Sequence, residues 1–231
     1  MILLLLSLTG NDILAKVDSI MNAPRDRESV GIMVLVDRNG KKKERKIRMW
    51  QRGEKKLIRF LAPDEVKGVG FLSLSDERMY LFMPAFKKVR RIASHAKKES
   101  FMNSDFSYED IGSSDYKKKW DGKIISETDS TWVLELTPKP GADVSYSKLI
   151  MEVKKSSYLV KRVEFYGKKG DKEKEMTMKK EKKVGNYWTF EELVMENLKT
   201  GHKTIMKLED VKFDQGLSDN IFTERNLKRY R

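Results

Sequence analysis

Two histidines, His95 and His202, and no cysteine stand in this chain of 231 residues. Nucleophilic catalysis needs a nucleophile beside a base that a third group orients. Ser94 neighbours His95, but adjacent residues rarely turn their side chains on one another. His202 is far away in sequence, in a turn-like segment, and both histidines read as surface residues. Carboxylates are plentiful but not clustered with histidine, so no metal-ligand spacing emerges. The lack of cysteine removes disulfides, thiolate zinc sites, thiol catalysis and a lipid anchor on an N-terminal cysteine. Lys67–Gly68–Val69–Gly70 offers G-x-G alone, without a third glycine, a following helix or Gly-Lys-Ser/Thr. Its glycines read as a kink that lets Phe71 into the core. Neither an enzymatic step nor a cofactor is implied.

The chemistry the chain does offer lies in residues 71–111, FLSLSDERMYLFMPAFKKVRRIASHAKKESFMNSDFSYEDI. The first half is apolar and aromatic, with Phe71, Leu72, Tyr80 and Phe82. A basic run follows (Lys87, Lys88, Arg90, Arg91), then a second apolar cluster (Phe101, Met102, Phe106, Tyr108). Large apolar side chains beside a cationic rim suit a site for a greasy, anionic ligand. With Trp50, Phe60 and Trp132, the apolar set supplies candidates for the wall of a lipid cavity. The basic run supplies its candidate cationic mouth. The plainer alternatives are a filled aromatic core and a solvated strand edge.

These residues need a scaffold, and the hydrophobic period describes one. NDILAKVDSIMNAP predicts an amphipathic helix over Asp12–Asn22, capped by Asn11 or Asp12 and stopped by Pro24. From Val30 onward the period is two. Ile32, Val34 and Val36 alternate, Asn39–Gly40 makes a hairpin turn, and further alternating runs continue to Phe213. The pattern gives about ten or eleven short strands and no βαβ unit. The expected fold is mainly β with few helices: a single curved antiparallel sheet forming an open half-barrel under a helical lid. The lid would be the N-terminal helix and the stretch 84–111, with a short helix at Ser104–Ile111.

Lys+Arg number 48 against 35 Asp+Glu, a net charge of +13. That balance fits an anionic partner, whether nucleic acid, phospholipid surface or lipid headgroup. It also fits a soluble, highly charged surface whose lysines guard strand edges. The opening MILLLLSL is too short to span a bilayer, which takes ~20 apolar residues. Residues 1–10 are read as the remnant of a signal peptide whose start lies upstream, a buried first turn or strand being the alternative. Residues 11–231 are read as one domain.

YLFMPAFKKVRRI followed by SFMNSDFSYEDI closely resembles the family of outer-membrane lipoprotein-sorting proteins related to LolA. It departs at Asn103, where the family pattern has Gly. The resemblance implies an open antiparallel barrel with a helical lid. It also implies a periplasmic, cell-envelope carrier that binds acyl chains of lipids or lipoproteins, with no chemical step. Its partners would be an inner-membrane exporter and an outer-membrane acceptor, with transient contact to a membrane surface. Two other readings stay open. One is a nucleic-acid-binding β protein, favoured by the charge but lacking an RNP-like or OB-type signature. The other is an envelope interaction module with a filled core.

Overall fold

The computed structural model describes residues 8–112 and 115–229. Most of the apolar N-terminal run, residues 1–7, lies outside the described residues. The first helix, α1 (Gly10–Met21), is capped by Thr9 and not by Asn11 or Asp12. The Thr9 hydroxyl accepts from the Asp12 N–H, and the Asp12 carboxylate accepts from the Thr9 N–H, closing a capping box. Asn11 instead ties the helix to the sheet, its Oδ1 accepting the Gly122 N–H at 2.7 Å. The backbones meet so closely there that a Cβ on Gly10 would sit 2.4 Å from the Gly122 carbonyl oxygen. Ile13, Leu14 and Val17, three residues of the expected apolar stripe, are fully buried.

Thirteen strands form one antiparallel sheet. They are β1 (Arg27–Val36), β2 (Lys42–Arg52), β3 (Lys55–Ala62), β4 (Gly70–Ser75), β5 (Arg78–Met83) and β6 (Lys88–Arg91). After a long connection come β7 (Trp120–Glu127), β8 (Thr131–Pro138), β9 (Lys148–Lys154), β10 (Val160–Tyr166), β11 (Lys172–Val184), β12 (Tyr187–Asn197) and β13 (His202–Phe213). The order is β6-β5-β4-β3-β2-β1-β13-β12-β11-β10-β9-β8-β7. Two meanders therefore join where β1 pairs with β13, and the sheet stays open between its edges β6 and β7. The period-two reading found fewer strands because β4 to β6 lie inside the motif and β7 alternates poorly.

The inner face of the sheet carries the main core. It is covered by α1 and by the connection 92–119, which includes α2 (Tyr108–Gly112). The helix expected at Ser104–Ile111 begins later. A 3-10 turn at Phe101–Asn103 comes first, and Ser107 caps α2 by exchanging hydrogen bonds with Asp110. Asn103 has φ +59° and Met102 φ +52°. Asn103, where the resemblance implied Gly, is thus the residue type best suited to the left-handed region after glycine itself.

The outer face holds a second cluster, Leu57, Leu72, Phe82, Leu217, Phe222 and Leu227. A C-terminal helix absent from the sequence reading, α3 (Glu224–Lys228), lies over it. Buried Arg59 fastens that helix by donating to the carbonyls of Leu227 at 2.9 Å and Asn226 at 3.0 Å. Many surface cations pair with acids on the same or the next strand, as in Lys148–Glu135 (3.1 Å), Lys161–Glu152 (2.9 Å) and Arg162–Glu164 (2.7 Å). Such exposed pairs each add little stability, but they break up single-sign fields on the sheet.

Candidate functional site

Alternation along β11, β12 and β13 sets a row of flexible apolar side chains on the inner face. Met176 pairs with Met195, Met178 with Leu193, and Leu193 with Met206. These residues wall a cavity of about 320 Å³ between sheet and cover. Leu149 and Phe165 extend the wall on one side, Met49 and Ile58 on the other. Ile20 and Met21 of α1 and Phe106 and Ile111 of the cover complete it. Methionine adapts its shape to irregular apolar contacts, and the volume falls at the lower end of small-molecule sites.

Polar groups also line this space: Arg27, Ser29, Gln51, Lys56, Lys119, Glu109, Asp110 and Asp115. Asp110 accepts the Tyr146 hydroxyl at 3.0 Å and the Ser107 N–H at 2.8 Å. Glu109 accepts the Ser145 N–H at 3.2 Å, and burial raises its pKa. Lys119 pairs with Asp76 at 3.0 Å. Lys56 donates to the Ile111 carbonyl at 3.0 Å. Burial, and next the positive charge of Arg27, bring the Lys56 pKa down to about 7.

Several contacts fasten the cover to both meanders. Asp105 Oδ2 receives the Thr204 hydroxyl at 2.7 Å and lies 2.6 Å from His202 Nδ1. The hydroxyl and the imidazole thus meet on one carboxylate oxygen of Asp105, and neither bonds to the other as a nucleophile–base pair requires. Arg45 bonds the Met102 carbonyl. On α1, the Asp18 carboxylate accepts the N–H groups of Tyr116 (3.0 Å) and Lys117 (2.7 Å). Its pKa is pushed up to about 6, chiefly by burial and, against the pull of its Lys117 bond, by the Asp115 side chain. A raised carboxyl pKa means the folded state holds more protons than the unfolded chain between about 4 and 6. Stability should therefore fall as pH rises through that window, by at most about 3 kcal/mol. Asp18→Asn should flatten this slope in thermal unfolding measured from pH 4 to 7. An unchanged slope would assign it to another group.

The sequence candidates scatter among three places. Phe106 lines the cavity. Trp50 borders it, but alternation turns Met49 and Gln51 inward. The Trp50 ring packs with the outer cluster, 4.9 Å under the Arg48 guanidinium. Phe60, Phe71, Phe101 and Tyr108 form a solid aromatic knot with centroids 5.3–5.8 Å apart. Met102 packs against the same core. Leu72, Tyr80 and Phe82 are corrected to the outer face. Once Phe71 points inward, Leu72 must point outward, and the register Leu72↔Tyr80 and Gly70↔Phe82 takes the others with it. Trp132 stacks on Tyr158 with centroids 5.3 Å apart, outside the cavity wall.

None of the basic run lines the cavity. Lys87 sits in a left-handed turn, and Lys88, Arg90 and Arg91 are exposed on the edge strand β6. Arg91 donates to the Glu77 carbonyl at 3.2 Å and Arg90 lies over Phe86. Charges there discourage pairing with another sheet. The cations that do reach the cavity are Arg27 on β1, Lys56 on β3 and Lys119 at the end of the connection. Arg27 and Ser29 share the strand parity of Met33 and Leu35, but Val34 and Val36, of the opposite parity, are apolar and buried too, so no sequence signal marked them out.

A family model described only as "uncharacterized protein" matches residues 52–229. The chain belongs to that family. No curated protein matches it. A DUF1329 family protein from Desulfovibrio piger is 28% identical, with a TM-score of 0.88 over 94% of this chain and 97% of its own. A domain from Vibrio parahaemolyticus, described as outer-membrane lipoprotein-sorting, is 29% identical with a TM-score of 0.85 over 95% and 98%. A LolA superfamily protein from Nitrosomonas europaea, 19% identical, shares the fold with a TM-score of 0.80 over 95% and 100%. The open half-barrel is LolA-like, as the motif at 71–111 implied. Among the described residues of this LolA-like chain, no cluster of His, Asp and Glu could hold a metal, and no helix is long and apolar enough to cross a membrane.

Proposed function

We propose that the protein is a cell-envelope carrier that holds an acyl chain of a lipid or lipoprotein beneath the 92–119 cover, for sorting towards the outer membrane. One observation carries this reading: a cavity of about 320 Å³ with methionine-rich walls between the sheet and its cover. Burying a chain there is favourable by ~0.8 kcal/mol per CH₂, enough to hold cargo without a chemical step. The description of the Vibrio parahaemolyticus relative supports the same role and a periplasmic setting. An inner-membrane exporter and an outer-membrane acceptor would load and empty the cavity, the cover detaching at its Asp105 and Asp18 contacts. Organic extraction of the purified protein followed by mass spectrometry tests this. An acyl lipid should be recovered, and a fluorescent fatty-acyl probe should bind the stripped protein. A protein that yields no lipid and binds no probe is not such a carrier.

A further inference from the structure

The first three strands place a polar row at one side of the cavity. Register sets Arg27 opposite Gln51 on β2, and Gln51 opposite Lys56 on β3. Opposed residues share a face, and all three line the cavity. Ser29, two residues along β1, lines it beside them.

Two of these groups lack partners within the fold. The Arg27 guanidinium makes no hydrogen bond or ion pair with any described residue, and its contact is the Phe213 ring, 5.1 Å from Cζ to centroid. Ser29 Oγ, on a residue 1% exposed, is without a partner, alone among the buried side-chain polar atoms of the described residues. A buried polar atom left unpaired is costly, and a cation in apolar surroundings without a counter-charge more so. The carboxylates lining the cavity are engaged elsewhere, Glu109 with Ser145, Asp110 with Tyr146, Ser107 and Lys174, and Asp115 with the Lys118 N–H. An incoming anion would satisfy what the fold leaves open. A guanidinium fork donates to carboxylate and phosphate oxygens equally well.

We infer that the row Arg27–Gln51–Lys56, with Ser29, is a seat for the anionic head of a ligand whose chain occupies the apolar part of the cavity. The cargo is thus an acidic amphiphile, bearing a carboxylate or a phosphate at the end of an acyl chain. This rests on the carrier reading and narrows its cargo.

Competition against a fluorescent fatty-acyl probe tests the seat. The competitors are hexadecanoate, hexadecyl phosphate, hexadecanol and inorganic phosphate. Wild-type protein should bind both acidic amphiphiles about ten- to a hundredfold more tightly than hexadecanol, the worth of a charge-assisted hydrogen bond. Arg27→Gln should remove most of that preference, lowering acid affinity at least about tenfold and alcohol affinity less than about threefold. Ser29→Ala should lower acid affinity by a smaller factor. Arg90→Ala, on the distant edge strand, should change nothing. Unfolding temperatures of the variants establish that they are folded. Acids and alcohol binding equally, or a preference that survives Arg27→Gln and Ser29→Ala, would overturn the seat and leave the carrier standing. If inorganic phosphate alone competes, the site takes a free anion and the amphiphile is wrong. If no amphiphile binds, the carrier reading falls and the seat with it.

Discussion

Changing Met178 and Leu193 together to tryptophan should cost about a hundredfold in binding a fatty-acyl probe, at an unfolding temperature no lower than wild type. The two side chains face each other across β11 and β12 and both line the cavity. Two indoles there take the space of several methylene groups of ligand. Excluding about three or four at ~0.8 kcal/mol each gives the stated factor. Larger side chains usually strain a packed core. Where a void exists they gain contacts its lining lacked. Probe titration and thermal unfolding on one preparation read both effects. Undiminished binding would put the chain elsewhere, and a marked fall in unfolding temperature would mean the space is already filled.

The second large effect concerns the aromatic knot. Phe101→Ala should destabilise the protein by about 3–5 kcal/mol in urea unfolding, the usual cost of emptying a phenylalanine site. Phe101 is fully buried and touches Phe60, Phe71 and Tyr108, so nothing can relax into the gap cheaply. Phe106→Ala should cost clearly less, because that ring already borders open space. Phe82→Ala should cost about as much as Phe101→Ala yet leave probe binding intact, since Phe82 belongs to the outer cluster. Equal losses for Phe101 and Phe106 would mean that the cavity does not relieve its wall.

The fold was legible because its dominant signal is periodic. Ile32, Val34 and Val36 announced β1, Asn39–Gly40 announced its turn, and the motif around YLFMPAF announced the LolA-like fold. The site was less legible because composition does not say which face a residue takes. Phe71 and Leu72 are neighbours of similar character, yet one enters the inner core and the other the outer cluster. The run Lys87–Arg91 drew attention by density, whereas the cations at the cavity are spread over β1, β3 and the end of the connection. The Met178–Leu193 wall needed a register between strands, which only the folded sheet supplies. The helix α3 is a single turn whose place depends on Arg59, remote in sequence.

The connection 92–119 leaves the sheet at β6 and re-enters it at β7, the two outermost strands. It is therefore strung like a bowstring, tied to both limbs, and does not swing on one hinge. Its midpoint is lashed to the centre of the bow where Asp105 meets β13. Asp18, Arg45 and Lys56 tie it at further points, so it slackens when the limbs draw together or when these ties let go. Curvature of the sheet is thus one of the variables that set how tautly the cover lies over its hollow.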